Sequence, residues 1–184
     1  MTVQLIFLGL EDASVNTQAA ILAKQLRLPH ISMQKLLSQS LWNSFRSDFR
    51  STHSSLIPTT SDTGMLAMLK ARFREPDAYQ GWILTGFPTC LAHAQSLYLL
   101  LEYMGRSQPQ ALYLSLDRQV LLERLALDTT DTAFSATQRL QENQKRLAPV
   151  IEYYQELKRL TMADGNSTTQ SINEKILDAL KKRS

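Results

Sequence analysis

Two rhythms of apolar and polar positions alternate along this chain. Val3 to Leu8 is an almost unbroken apolar run, the pattern of a parallel strand buried on both faces. After Gly9 and a polar stretch, Thr17 to Leu26 carries Ala20, Ile21, Ala23 and Leu26 as a helical stripe. Leu28 to Ser32 reads as a short second strand entered at Pro29. Met33 to about Phe49 has Leu36, Leu37, Leu41, Phe45 and Phe49 at helical spacing, and Ser51 to Ser61, rich in Ser, Thr and Pro, reads as loop. Helix over Gly64–Phe73, strand over Gly81–Gly86 and helix over Leu91–Tyr103 follow. A fourth strand spans Gln110–Leu116, with Asp117 as a cap for a helix over Val120–Leu127. Asp128–Ser135 reads as loop and Ala136–Leu160 as a long helix bent near Pro149. A weak strand over Leu160–Met162, a turn at Asp164-Gly165 and a helix over Ile172–Lys182 close the pattern. Strands alternating with helices predict a doubly wound parallel sheet. Ligands of such sheets bind at the carboxyl ends of the strands, where Gly9, Ser32 and Gly86 fall.

Composition narrows this picture. With 184 residues, 43% hydrophobic and 20% charged, and with no internal repeat or dividing linker, the chain reads as one globular domain with a full core. No apolar run approaches the roughly 18 residues of a membrane span, and no secretory leader pattern opens the chain. The single Cys90 excludes an internal disulfide and fits a reducing compartment such as the cytoplasm. A net charge of +3 does not predict nucleic-acid binding, and Lys181-Lys182-Arg183 reads as a solvated helix end. The expected partners therefore include neither nucleic acid nor a membrane.

The chemistry concentrates in Val3–Gln18. A strand, a glycine turn and a helix start are the layout of a phosphate-binding loop, G-x-x-x-x-G-K-[ST]. Its glycines let backbone N–H groups reach phosphate, and its lysine neutralises the charge. Here Gly9 stands, but Ser14 replaces the second glycine and Val15 the lysine. Glu11 and Asp12 bring negative charge to the place of an anion.

From end to end the sequence resembles the adenylate kinase family. Gly9–Gln18 is similar to G-x-P-G-x-G-K-G-T-Q, and Gly81–Pro88 to G-[FW]-[IL]-L-D-G-F-P. Glu123-Arg124-Leu125 resembles E-R-L, Ala148–Tyr154 resembles A-P-L-I-x-Y-Y, and Asp164-Gly165 a late D-G. The resemblance implies a three-layer α/β/α, P-loop NTPase-like fold with a five-stranded parallel sheet. A core of residues 1–32, 81–127 and 136–184 would carry a helical monophosphate-binding arm at 33–80 and a short lid at 128–135.

The departures share one sign. The family's phosphate-contacting cations fall on Val15, Ser38, Thr89, Asp128 and Thr137, and no Lys or Arg occurs between Leu125 and Gln138. The magnesium-orienting Asp is Thr85, the Thr-Gly-Asp motif is Met33-Gln34-Lys35, and the AMP-reading Gln is His93. Phosphoryl transfer is catalysed by positioning and positive charge, and one arginine finger is worth roughly 10³- to 10⁵-fold. A carboxylate about 5 Å from a phosphate costs roughly 3 kcal/mol per charge pair at an effective dielectric of 20. The expectation is an adenylate-kinase-like pseudoenzyme with no catalytic residue, no metal and no cofactor, in which any binding of ATP, ADP or AMP is weak. Its vestigial nucleotide contacts would be Gly9, Thr17, Gln18, Gly86, Arg124 and Arg139. A weak adenine-nucleotide sensor and a divergent nucleoside monophosphate kinase (ATP + AMP to 2 ADP) are the alternatives.

Plainer readings stand beside these. Gly9 serves equally as a tight-turn glycine and Gly86-Phe87-Pro88 as strand-end packing. Arg124 reads as a surface residue, Arg139 as a partner of Asp128 or Asp131. His30 and His93 read as core or hydrogen-bonding histidines, and Cys90 as inert. Three scattered His and one Cys show no metal spacing, and no Ser-His-Asp arrangement follows from sequence spacing. Leu41, Trp42, Phe45 and Phe49 form a broad apolar face beside Arg46 and Arg50, suited to the core or to docking of an unidentified protein partner.

Overall fold

Each apolar run becomes a strand: β1 Val3–Leu8, β2 His30–Ser32, β3 Gly81–Thr85, β4 Gln110–Ser115 and β5 Leu160–Asp164. A computed structural model describes residues 3–10, 13–48, 62–117, 119–120, 133–166 and 168–181. The strands form one five-stranded, all-parallel sheet in the order β2-β3-β1-β4-β5. The helices among the described residues are α1 Ala13–Leu26, α2 Met33–Asp48, α3 Asp62–Phe73, α4 Leu91–Tyr103, α5 Ala133–Glu156 and α6 Thr169–Lys181. A 3-10 turn at Pro76–Ala78 joins α3 to β3.

Side-chain alternation along the strands divides the apolar residues into two cores. Ile6, Leu8, Trp82 and Leu84 face α3, α4 and α5 through Leu69, Phe73, Leu97, Leu101 and Val150. Leu5, Phe7, Ile83 and Leu112 face α1 and α6 through Val15, Ala19, Leu22, Ile172 and Ile176. This is the predicted three-layer α/β/α architecture. Phe73 stacks on Trp82 with ring centroids 4.6 Å apart, and both rings are fully buried. Where β3 enters the sheet, Gly81 has φ +134°, and a Cβ there would overlap the Val3 carbonyl oxygen. Glycine is required at that crossing.

Several boundaries differ from the sequence pattern. Helix α1 begins at Ala13 instead of Thr17, because Ser14 and Val15 tolerate helical backbone where a glycine loop would resist it. Helix α3 begins at Asp62 and α6 at Thr169, each a few residues earlier than expected. Helix α5 begins at Ala133, within the segment 128–135 expected as a loop-like lid, continues through Pro149 and stops at Glu156. Its end is set by Lys158 at φ 55°, and the Arg159 N–H returns to the Tyr154 carbonyl at 2.8 Å. Arg27, also at φ 55°, ends α1 in the same way, with the Leu28 N–H on the Ala23 carbonyl at 2.9 Å. Strand β5 is a full five-residue partner of β4, so the turn moves to Gly165-Asn166. The expected loop at Ser51–Ser61 and most of Val120–Leu127 and Asp128–Ser135 lie outside the described residues. No helix among the described residues is long and apolar enough to cross a membrane.

The Phe73–Trp82 stack closes the core beneath α3. Phe73→Ala should cost about 3–5 kcal/mol, read as a lower urea midpoint with an unchanged denaturant slope.

Candidate functional site

The parallel register of β1 and β3 sets Phe7 beside Thr85, so Gly9 and Gly86 follow at neighbouring strand ends. Helix α1 leaves the first end, and the Phe87-Pro88 turn, with its cis peptide, leaves the second toward α4. This is the carboxyl edge of the sheet, where ligands of such folds bind.

Val15 decides the shape of the first turn. It is 7% exposed and packs into the core with Leu5, Phe7, Ala19 and Leu22. A Cβ at Gly9 would stand 2.5 Å from Val15 Cγ2, so the valine methyl lies directly over the glycine. The side chain at the lysine position is thus turned inward. Gly9 is kept small by this contact, and its backbone is screened on that side.

The place of the magnesium-orienting carboxylate holds a neutral hydrogen-bonded chain. The Thr85 hydroxyl, 1% exposed, donates to Asn16 Oδ1 at 2.9 Å. It accepts from His30 Nε2 at 3.0 Å. The Thr85 hydroxyl has one proton, so the second bond fixes His30 Nε2 as a donor. Burial, and secondarily the charge of Lys35, push the His30 pKa below its ordinary 6.5, and the imidazole is neutral. The chain joins α1, β3 and β2 across the cleft floor.

Neighbouring positions are also engaged internally. Gly86, at φ +76°, lies under Met33, with a Cβ there 3.4 Å from Met33 Cβ. Met33 is 2% exposed. Ser38 donates to the Gln34 carbonyl of its own helix at 2.8 Å. Gln18 is buried, with 3% exposure, while Thr17 on the adjacent face of α1 is exposed. Thr89 Oγ1 lies 3.0 Å from His93 Nδ1, and His93 Nε2 lies 2.8 Å from Asp62 Oδ1. His93 is buried and stacks on Phe87 at 4.7 Å.

Among the proposed nucleotide contacts, the structure gathers Gly9, Thr17 and Gly86 at one edge and sends Gln18 inward. Arg124 lies outside the described residues, as do Glu11, Asp12 and the proposed Arg139 partners Asp128 and Asp131. Arg139 is in α5, but its side chain is outside the description. The same holds for Leu41, Trp42 and Phe45 in α2, and Phe49 is wholly outside. Free, half-buried Cys90 is the N-cap position of α4 and makes no side-chain cap bond.

Sequence reasoning missed both polar chains as units. For Asn16–Thr85–His30, the signal lay in three polar residues at the first turn of α1, the end of β3 and the start of β2. For Thr89–His93–Asp62, only the four-residue spacing of Thr89 and His93 was local. Asp62 is 31 residues from His93.

Residues 7–159 match the family model described as Adenylate kinase. The chain is 32% identical to Adenylate kinase 1 of Synechocystis over 174 residues, 91% of each sequence. It is 29% identical to Adenylate kinase 1 of Nostoc over 179 residues, 94% of this chain and 96% of the relative. A further relative, Adenylate kinase of Xanthomonas oryzae pv. oryzae, is 30% identical over 184 residues, covering 96% and 98%.

His30 couples the site to pH. Its folded pKa is below 6.5, so the unfolded chain binds more protons near and below that value. The stabilisation is complete above 6.5 and is lost as pH falls through the folded value. Urea midpoints from pH 7.5 to 5 should fall for the native chain and fall less steeply for His30→Gln.

Proposed function

The chain belongs to the adenylate kinase family, and on that premise we propose that it is a member without phosphoryl transfer, serving as a binding, regulatory or assembly protein. The observation that carries this reading is Val15, buried against Leu22 and Phe7 with its methyl over Gly9. A loop that cradles phosphate needs its backbone N–H groups open and a cation beside them. Neither a triphosphate nor its magnesium fits the residues present. The cation position is a hydrocarbon in the core, and the carboxylate position is the Thr85 hydroxyl, committed to Asn16 and His30.

Magnitudes support the same conclusion. A typical kinase turnover is about 1–100 s⁻¹, and each lost phosphate-clamping cation removes up to roughly 10³- to 10⁵-fold. Val15, Ser38, Thr89 and Thr137 together leave too little positive charge for the transition state. Ser38 and Thr89 form internal hydrogen bonds and supply no charge. The arm-like segment 33–80 and lid-like segment 128–135 would then persist as scaffold, with Leu41, Trp42, Phe45 and Phe49 as the docking face for a protein partner. Residual contact with ATP, ADP or AMP through Gly9, Thr17, Gly86, Arg124 and Arg139 would be weak. We place this activity in the cytoplasm or an equivalent reducing compartment.

Family membership over nearly the whole length favours a second reading, a divergent nucleoside monophosphate kinase. A coupled assay for ADP formation from ATP, AMP and magnesium separates the two. The expected result is no turnover above background, and a rate of about 1–100 s⁻¹ overturns the first reading. Val15→Lys should not restore activity, because the Thr85 and Thr89 positions remain uncharged. In thermal-shift titrations, millimolar ATP, ADP or AMP should leave the midpoint unchanged. A ligand at 100-fold its Kd would add about 2.7 kcal/mol of stability.

A further inference from the structure

The chain Asp62–His93–Thr89 joins the N-terminal turn of α3 to the start of α4. Helix α3 is anchored unequally. At its C-terminal end, Leu69 and Phe73 are fully buried, and Arg72 makes a two-pronged pair with Asp77 at 2.8 and 2.7 Å. The Phe73 carbonyl accepts from Arg106 at 2.5 Å. At the N-terminal end, Asp62 and Thr63 are exposed, Gly64 is buried, and Met65 and Leu66 are half-buried against the same core. There the side-chain bond that reaches α4 is Asp62 to His93.

His93 is built to receive it. Its ring is clamped on Phe87, which is 1% exposed. The Thr89 N–H points at Nδ1 at 3.4 Å, and the Thr89 hydroxyl lies within 3.0 Å of it. With Nδ1 accepting, Nε2 carries the proton and donates to the Asp62 carboxylate. A charge-assisted bond to a fixed ring is directional, so it sets the tilt of α3 as well as its proximity.

We infer that Asp62–His93–Thr89 is a latch that pins the N-terminal turn of α3 to α4, and with α3 the helix α2 that packs on it. The latch uses only side chains of this chain and holds the arm-like pair without any nucleotide. It goes beyond the question of turnover, since it would operate in an active or an inactive protein. His93 also stands where the family resemblance puts a base-reading residue, so its ring nitrogens are already engaged there.

Hydrogen exchange read by mass spectrometry on the full chain, without ligand, tests this. Asp62 has a side chain 67% exposed, so Asp62→Ala leaves the core intact. His93→Phe keeps the ring over Phe87 and removes both nitrogens. Each variant should speed exchange in the 66–68 amides and in α2 by about tenfold, the worth of one hydrogen bond to a charged group. Strands β1 and β3 should keep native protection. The double variant should be no faster than either single one, as for two halves of one interaction. Unchanged α2 and α3 exchange, an effect confined to the first turn of α3, or additive effects in the double variant would each overturn the latch.

Discussion

Parallel pairing of β1 with β3 constrains everything at the cleft. The register that sets Phe7 against Thr85 is enforced by burial on both faces: Ile6 and Leu84 point to one core, Phe7 and Leu5 to the other. A one-residue slip would exchange every strand side chain between cores of different shape. Gly81 tightens the constraint, because only a residue without Cβ passes the Val3 carbonyl. Once this register is set, the turns after β1 and β3 must lie side by side. The residues on those turns then form a site, whatever chemistry they carry.

Among the described residues at this edge, Asn16, Thr85 and His30 carry a neutral, hydrogen-bonded chain. An isolated charge at a nearly dry position such as Thr85 is costly unless paired, whereas a hydroxyl with both bonds made is inexpensive to bury. Asn16, Thr85 and His30 meet that condition with one proton each way. Val15 completes the exchange by converting a cation position into core surface. On the proposed reading, hydrocarbon and neutral hydrogen bonds stand where a bound phosphate and metal would have called for charge, and the fold is stabilised there by its own side chains.

The arm follows the same logic. Helix α3 is held along its length by burial, fully at Leu69 and Phe73 and partly at Met65 and Leu66, and its first turn carries in addition a polar bond that yields differently. Apolar burial of Leu69 and Phe73 is non-directional and tied to global stability. The Asp62–His93 bond is local, half in water and directional.

The sequence by itself determined the layer architecture. Apolar runs such as Leu5–Leu8 and Trp82–Leu84 have the length of strands, and the stripes between them have helical period, so local pattern and global fold agree. It also determined which residues stand at the positions where the family resemblance expects charge, because Val15, Thr85 and Thr89 are read directly from the chain. Only the tertiary structure decided where the remaining polar groups go. Whether Val15 faces the cleft or the core depends on α1 beginning at Ala13, a boundary that propensity leaves open by several residues. Asn16 and His30 reach Thr85, and Asp62 reaches His93, from 31 to 69 residues away, joined by sheet register and helix packing. Hydrogen bonds of that kind have no period and no local signature, and they exist only once burial has fixed the backbone around them.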